Sequence, residues 1–192
     1  HRTTEEVWHR LLNCGFRIPA AGGTDAMTNY ASLRGPLGVD RTYVEMADAP
    51  KDPAAFVEAW LAGLKTGRSF ATNGPLVKLE VEGAGAGEVL VRKKGVSKLS
   101  YKARMSSITP IDSVEILYNG KVVATMPLSQ DGRHVDAAGE IEVEASGWMS
   151  MRASGKDAAE DVFDLYPFGV TSPIYVEIGG KRPQSAADAD YF

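Results

Sequence analysis

The feature that most constrains the fold is a change of pattern at about Leu76. From there to residue 180, short runs of alternating apolar and polar residues are separated by turn residues, and no helical pattern of useful length intervenes. Such alternation places successive side chains on opposite faces of a strand. Roughly six or seven short strands in a segment of this kind predict an antiparallel, Ig-like β-sandwich. Asn119-Gly120, between two β-prone runs, predicts a hairpin with a type I′ turn.

Residues 1–75 follow a different pattern, in the order helix, strand, strand, helix, strand, which is typical of α/β folds. Residues 3–13 carry apolar side chains at helical spacing, and Thr3 with Glu6 predicts a capping box at the start of that helix. The strands are predicted from the buried run FRIPAAGG over residues 16–23, the alternating run RTYVEM and the run RSFATNGPL.

The second helix is predicted over residues 52–67. Asp52 suits the N-cap, Pro53 suits the first helical position, and Gly67 suits the C-terminal stop. Its inner, core-facing side chains are predicted to be Phe56, Trp60, Leu61 and Leu64.

Composition excludes several classes of protein. The net charge is −4 and no long basic run is present, which argues against a nucleic-acid partner because phosphate binding needs clustered Lys and Arg. No apolar stretch approaches the length of about 20 residues that a membrane span requires. The single cysteine, Cys14, cannot form a disulfide within the chain and is expected to be a small buried hydrophobic residue.

The sequence contains few of the residues that usually carry metal or nucleophilic chemistry. There are only three histidines, His1, His9 and His134, and no HxH, HExxH or CxxC motif. No G-x-S-x-G motif is present, and GAGAGE over residues 83–88 lacks the Lys-Ser/Thr ending of a phosphate-binding loop. A complete metal centre within this chain is therefore not expected.

Asp25, in the stretch GGTDAMTNY, is the best single candidate for chemistry. It follows a predicted buried strand, and the carboxyl ends of strands form the mouth of an α/β barrel, where catalytic groups lie. Its carboxylate is a hard oxygen ligand suited to a divalent metal. An aspartate after glycine equally suits an Asx-turn or a helix N-cap, so residue types alone leave both interpretations open.

Five stretches, taken in order along the chain, resemble the CehA/McbA-type metallohydrolases of the PHP (polymerase and histidinol phosphatase) superfamily. They are LLNCGFRIPAAGGTDAMTNYASLRGPLGVDRTYV, AWLAGLKTGRSFATNGPLVKLEVEG, IDSVEILYNGKVV, GWMSMRA and TSPIYVEIGG. The resemblance implies that residues 1–75 are the C-terminal end of a PHP (β/α)7-type metal-binding barrel. It further implies that residues 76–180 are the antiparallel β-sandwich and that residues 181–192 are a tail or a truncated helix.

The resemblance carries a metal-ligand role onto Asp25 of Gly23-Thr24-Asp25. Many PHP proteins have a histidine two residues later, where this chain has Met27. The remaining ligands for a divalent Zn, Mn or Fe ion are expected upstream of His1. The chain is thus interpreted as the C-terminal fragment of a hydrolase acting on a small-molecule ester, carbamate or phosphoester. On this interpretation the fragment is inactive alone and holds no metal by itself.

Two further residues are weaker catalytic candidates from the same resemblance. Arg68 would bind an anionic group and Asn73 would orient a water, whereas TNGP is equally explained as a tight turn between barrel and sandwich. Trp148 and Arg152 are expected to pack the sandwich.

The rival hypotheses are a non-catalytic sandwich that binds carbohydrate or protein, and a purely structural domain that supports the barrel or forms a homo-oligomer interface. Because an incomplete barrel exposes sheet edges, residues 1–75 are predicted either to dock on the sandwich or to pair with another chain.

Overall fold

The computed structural model describes residues 2–26 and 36–192, and Met27 lies outside them. The helices are α1 Arg2–Asn13, α2 Pro53–Thr66 and α3 Ala186–Ala189, with a 3-10 turn at Glu160–Val162. The strands are β1 Arg41–Val44, β2 Ser69–Thr72, β3 Leu76–Val81, β4 Val89–Arg92, β5 Ser97–Ser106, β6 Ser113–Tyr118, β7 Lys121–Thr125, β8 His134–Val143, β9 Gly147–Ser154, β10 Phe168–Thr171 and β11 Ile174–Ile178.

The strands form two sheets that are mostly antiparallel. The larger has eight strands in the order β1-β2-β10-β9-β11-β4, with the β6–β7 hairpin joined to β9 through β6, and the β11–β4 pair is parallel. The smaller has the order β3-β5-β8. Fully buried side chains from both sheets, among them Leu99, Ile116, Met151 and Ile174, form one core between them. This mixed architecture, dominated by strands, is compatible with the predicted sandwich, and no closed barrel occurs in the described part of the chain.

Strands from residues 1–75 belong to the same sheet as the later strands. β2 pairs with β10 in the register Ala71↔Val170, and β1 continues the sheet beyond β2. α1 lies across the outer face of this sheet, where Leu12 packs with Trp148 of β9 and Leu117 of β6. Of the two predicted outcomes for this segment, docking on the sandwich is the one observed.

The strand predicted over residues 16–23 was wrong. This segment is irregular and crosses the outer face of the larger sheet, held by hydrogen bonds to side chains instead of a strand ladder. The amide of Ala20 donates to the hydroxyl of Ser172 at 2.8 Å, and Gly22 exchanges two 2.9 Å bonds with the hydroxyl of Thr42. Pro19, which has no amide hydrogen, cannot contribute a donor to a ladder.

The helix ends were predicted with mixed success. The Asp52 carboxylate caps α2 by accepting from the amide of Ala55 at 2.9 Å, and Gly67 ends the helix at φ 82°, both as predicted. The capping box was wrong, because α1 begins at Arg2 and Thr3 lies within it. Glu6 instead pairs with the side chain of Arg10 at 3.2 Å.

The predicted inner face of α2 was wrong in part: Trp60 and Leu64 are half-buried, whereas Phe56 and Leu61 are exposed. The fully buried residue of this helix is Gly63, which lies directly against the side chain of Val44 on β1. Phe56 is 40% exposed and Leu61 54% exposed, because α2 approaches the sheet through its smallest residue and leaves most of its apolar surface uncovered.

The hairpin prediction is confirmed: β6 and β7 are joined at Asn119 and Gly120, whose φ values of 51° and 78° fit a type I′ turn. The polar tail carries the short helix α3, which Ser185 caps by accepting from the amide of Asp188 at 3.2 Å. Asp188 in turn accepts from Arg10, so the tail is attached to α1.

Candidate functional site

Two cavities lie on either side of β2. Neighbouring residues of a strand point to opposite faces of the sheet, and Ala71 faces one cavity while Phe70 faces the other. The outer cavity, of about 230 Å³, lies between α1, residues 19–22 and the ends of β2 and β10. The seam cavity, of about 290 Å³, lies between the larger sheet and β3.

Asp25 follows residues 19–22, which line part of the outer cavity, but it does not itself line that cavity. Its carboxylate is on an exposed residue held in a left-handed conformation, at φ 53°, which aspartate tolerates better than most residues. The preceding residue, Thr24, is bound to Asp40 twice: its hydroxyl accepts from the Asp40 amide at 3.0 Å and donates to the Asp40 carbonyl at 3.2 Å. These bonds hold the Asp25 turn against the segment that carries Asp40, which itself lines the outer cavity.

The negative charge of Asp25 acts on Asp40. Burial raises the pKa of Asp40, the charge of Arg41 opposes that shift, and the negative charge of Asp25 adds to it. The two carboxylates therefore lie near each other, and Asp40 is the one that lines the cavity. The sequence pointed to Asp25 and not to Asp40, because Asp40 lies fifteen positions further along the chain in no recognisable motif.

The described residues supply only part of a metal-ligand set. Across residues 2–26 and 36–192, no three His, Cys, Asp or Glu side chains come together in a way that could hold a metal ion. Asp25 and Asp40 are hard oxygen donors of the type that Mg²⁺, Mn²⁺ and Zn²⁺ accept. The arrangement fits a divalent ion only if further ligands are contributed from elsewhere.

Asn73 lines the outer cavity, but the backbone that leads into β10 engages both ends of its amide. The side-chain nitrogen donates to the carbonyl of Tyr166 at 2.8 Å, and the side-chain oxygen accepts from the amide of Phe168 at 2.7 Å. Asn73 is only 4% exposed. These bonds brace the junction of β2 and β10.

Arg68 lies at the other end of β2 and lines the seam cavity. Its side chain is exposed and makes no ion pair or hydrogen bond with any residue that the structure describes. The structure therefore places Asn73 in the wall of the outer cavity, Asp25 in the turn bound to Asp40 beside it, and Arg68 at a different cavity.

A buried ionic network under α1 was not anticipated from the sequence. Arg152 of β9 contacts Glu5 of α1 at 3.1 Å and Glu115 of β6 at 2.7 Å. The neighbouring Trp148 is fully buried, as expected for a packing role, and its indole nitrogen donates to Asn13 of α1 at 2.7 Å. Glu5 lines the outer cavity, but its carboxylate is already bound by Arg152. The one signal in the sequence was Arg152 as the single charged residue of the strand GWMSMRAS.

Comparisons with known proteins assign this chain to no family. No family model, no curated protein and no solved structure matches it. In the described part of the chain, no helix combines the length and the apolar character that crossing a membrane requires.

Proposed function

We propose that this chain is the C-terminal part of a PHP-type metal-dependent hydrolase that uses water to cleave an ester, a carbamate or a phosphoester. The observation that carries the proposal is the position of Asp25, whose exposed turn is held beside Asp40 at the rim of the outer cavity. Asp25 would supply one oxygen ligand, and Asp40 offers a second hard donor next to it. The other ligands would come from residues outside this sequence. A divalent metal, when bound, lowers the pKa of a water and polarises the group to be cleaved.

The residues of this chain would position the ligand and shape the site. The two hydrogen bonds between Thr24 and Asp40 fix the Asp25 turn. Trp8 and Val170 provide apolar walls in the outer cavity, which exclude water from part of a substrate. Glu5 is not a candidate base, because Arg152 holds both of its carboxylate oxygens.

The uncovered surface of α2 supports the assignment of residues 1–75 to one end of a barrel. This helix exposes Val57 and Leu61, each at 54%, and Phe56 at 40%. Exposed neighbouring apolar side chains of this size usually mark a surface that another structural element covers. In the proposed enzyme the rest of the barrel would cover them.

The proposal can be tested on the intact protein, including its upstream residues, by elemental analysis and by hydrolysis of p-nitrophenyl acetate and bis-p-nitrophenyl phosphate. We expect Asp25→Asn to lower metal occupancy and to reduce the rate at least about 100-fold, because metal-ligand loss removes both water activation and substrate polarisation. Asp48→Asn, at an exposed aspartate in the loop before α2, is the matched control and should change neither quantity. Full occupancy and full rate in Asp25→Asn would refute the proposal.

A further inference from the structure

The seam cavity exists because the two sheets differ in width. β3, an edge strand of the smaller sheet, packs over β10 and β9. β2 and β1 therefore project past the edge of the smaller sheet and leave a gap between the sheets. The gap measures about 290 Å³, which is just below the range of about 300–1,000 Å³ for ligand pockets.

The walls of the seam cavity are aromatic and aliphatic. On the larger sheet, the rings of Tyr43 and Phe70 stack with centroids 5.0 Å apart and planes 9° from parallel. On the smaller sheet, Val77 and Leu79 of β3 point inward and are almost fully buried. A flat apolar ligand body fits between such walls, because ring stacking and burial of apolar surface both favour it.

The serine and threonine hydroxyl groups in the walls are already engaged. The Ser69 hydroxyl donates to the carbonyl of Ala20 at 3.1 Å and lies 2.9 Å from the hydroxyl of Ser172. The Thr171 hydroxyl accepts from the amide of Met151 at 3.0 Å. The walls therefore favour apolar contact, and polar recognition is left to the rim.

Three of the residues that line the cavity are charged, and two of these, Lys78 and Glu45, form an ion pair. Lys78 contacts Glu45 at 2.9 Å and also reaches Glu80 at 3.2 Å, and hydrogen bonds to these carboxylates raise the pKa of Lys78. Arg68, in contrast, has no partner among the described residues. The free charge at the rim is thus a guanidinium, whose planar set of donors matches a carboxylate.

We propose that the seam cavity binds a small apolar carboxylate, with the carboxylate on Arg68 and the apolar body between the Tyr43–Phe70 stack and β3. An aromatic carboxylate is the best match, because one wall is a pair of stacked rings. This site lies across the sheet from Asp25 and does not depend on the proposed hydrolase activity.

The test uses the chain itself, labelled with ¹⁵N and titrated in the NMR spectrometer with 2-naphthoate and with the neutral 2-naphthamide. We expect 2-naphthoate to shift the amides of Phe70, Val77 and Leu79 in a saturable way and to bind at least about tenfold more tightly than the amide. Arg68→Gln should remove that tenfold advantage and leave 2-naphthamide binding unchanged. Arg133→Gln, at an exposed arginine in the loop before β8, is the matched control and should alter neither affinity.

A second variant tests the contribution of the apolar walls separately from that of the charged rim. Phe70→Leu removes one of the stacked rings and should weaken both probes by a similar factor, whereas acetate, which lacks an apolar body, should not bind measurably. The proposal is overturned if the two probes bind the original chain equally. It is also overturned if Arg68→Gln keeps the preference, if no saturable binding occurs, or if the shifts appear at Trp8 and Ala71 of the outer cavity instead.

Discussion

Arg152 on β9 donates through one guanidinium nitrogen to both carboxylate oxygens of Glu5 on α1, at 3.1 Å each. A second nitrogen donates to Glu115 on β6 at 2.7 Å. The side chain of Glu5 is only 8% exposed, and that of Arg152 is 24% exposed. Helix α1, which forms one wall of the outer cavity, is therefore attached to the larger sheet by the largely buried guanidinium of Arg152, which forms ion pairs with two carboxylates.

Arg152→Met should destabilise the fold by about 3 kcal/mol, the low end of the range for breaking a buried ion pair, because Arg152 is partly exposed and Glu5 is left without its cation. Urea denaturation gives the free energy of unfolding. The matched control is Arg104→Met, whose 3.7 Å contact with Asp136 joins side chains that are 63% and 81% exposed. This control should cost less than about 1 kcal/mol.

The double variant Glu5→Gln/Arg152→Met provides a check on the mechanism. If the cost comes from an uncompensated buried carboxylate, neutralising Glu5 should restore part of the lost stability. Equal costs for the two arginine variants, or no recovery in the double variant, would contradict the role assigned to this network.

Local chemistry explains what could be predicted from the sequence. Asn119-Gly120 favours a hairpin turn through its own backbone conformations. Asp52 caps the start of α2 and Gly67 adopts the left-handed conformation that ends it, so each acts within a few residues of its own position. The inner face of α2 depends instead on Val44, against which only a glycine can pack so closely. An apolar run such as residues 16–23 has the composition of a buried strand. That composition is the same whether the run pairs with a neighbouring strand or only covers the face of a sheet.

The candidate site was only partly predictable for the same reason. Asp25 was found from its local context, a carboxylate after a glycine turn. Asp40 becomes relevant only because Thr24 binds its backbone. Arg68 and Asn73 line cavities on opposite faces of β2. These cavities form only when β2 pairs with β10 and β1, and no motif encodes that pairing.

Gly87→Ala should be far more damaging than a similar change elsewhere. Gly87 has φ 85°, and a Cβ there would overlap the carbonyl oxygen of Thr66 at the end of α2. Gly38 also has φ 85°, but a Cβ there would meet nothing within 4 Å. Gly38→Ala thus measures backbone strain alone, about 1–2 kcal/mol, and Gly87→Ala should add about 1–3 kcal/mol for the overlap. Thermal and urea unfolding compare the two, and equal costs would show that the contact with α2 is unimportant.

Asn73→Ala should destabilise the fold by about 1–3 kcal/mol, because it removes the part-buried hydrogen bonds that Asn73 makes with the Tyr166 carbonyl and the Phe168 amide. Hydrogen exchange of the Phe168 amide should quicken more than that of amides in β5. Asn73→Asp keeps an acceptor for Phe168 but removes the donor for Tyr166, so we expect its exchange to be intermediate. A fully stable Asn73→Ala protein would contradict the bracing role.

His9 is enclosed in the same interface as Arg152. Its ring lies 4.7 Å from that of Trp148 and 5.5 Å from that of Trp8, and Gly120 of the hairpin packs against it. The charged groups that face it are the Glu5 carboxylate, 3.6 Å from Nε2, and the Arg152 guanidinium. Among the described residues, Nε2 has no hydrogen-bond partner. Burial, together with the charge of Arg152, lowers the pKa of His9 to about 4.

This shift predicts acid sensitivity of a defined sign. The unfolded chain, with a histidine pKa near 6.5, binds the His9 proton more readily than the folded chain. Stability from this residue is therefore complete above about pH 6.5 and falls as the pH drops towards 4, by up to about 3 kcal/mol. His9→Gln should remove that component, so the difference in unfolding free energy between the two proteins should change by roughly this amount between pH 4 and pH 7.5. Parallel pH profiles for the two proteins would show that His9 is not held neutral by this interface.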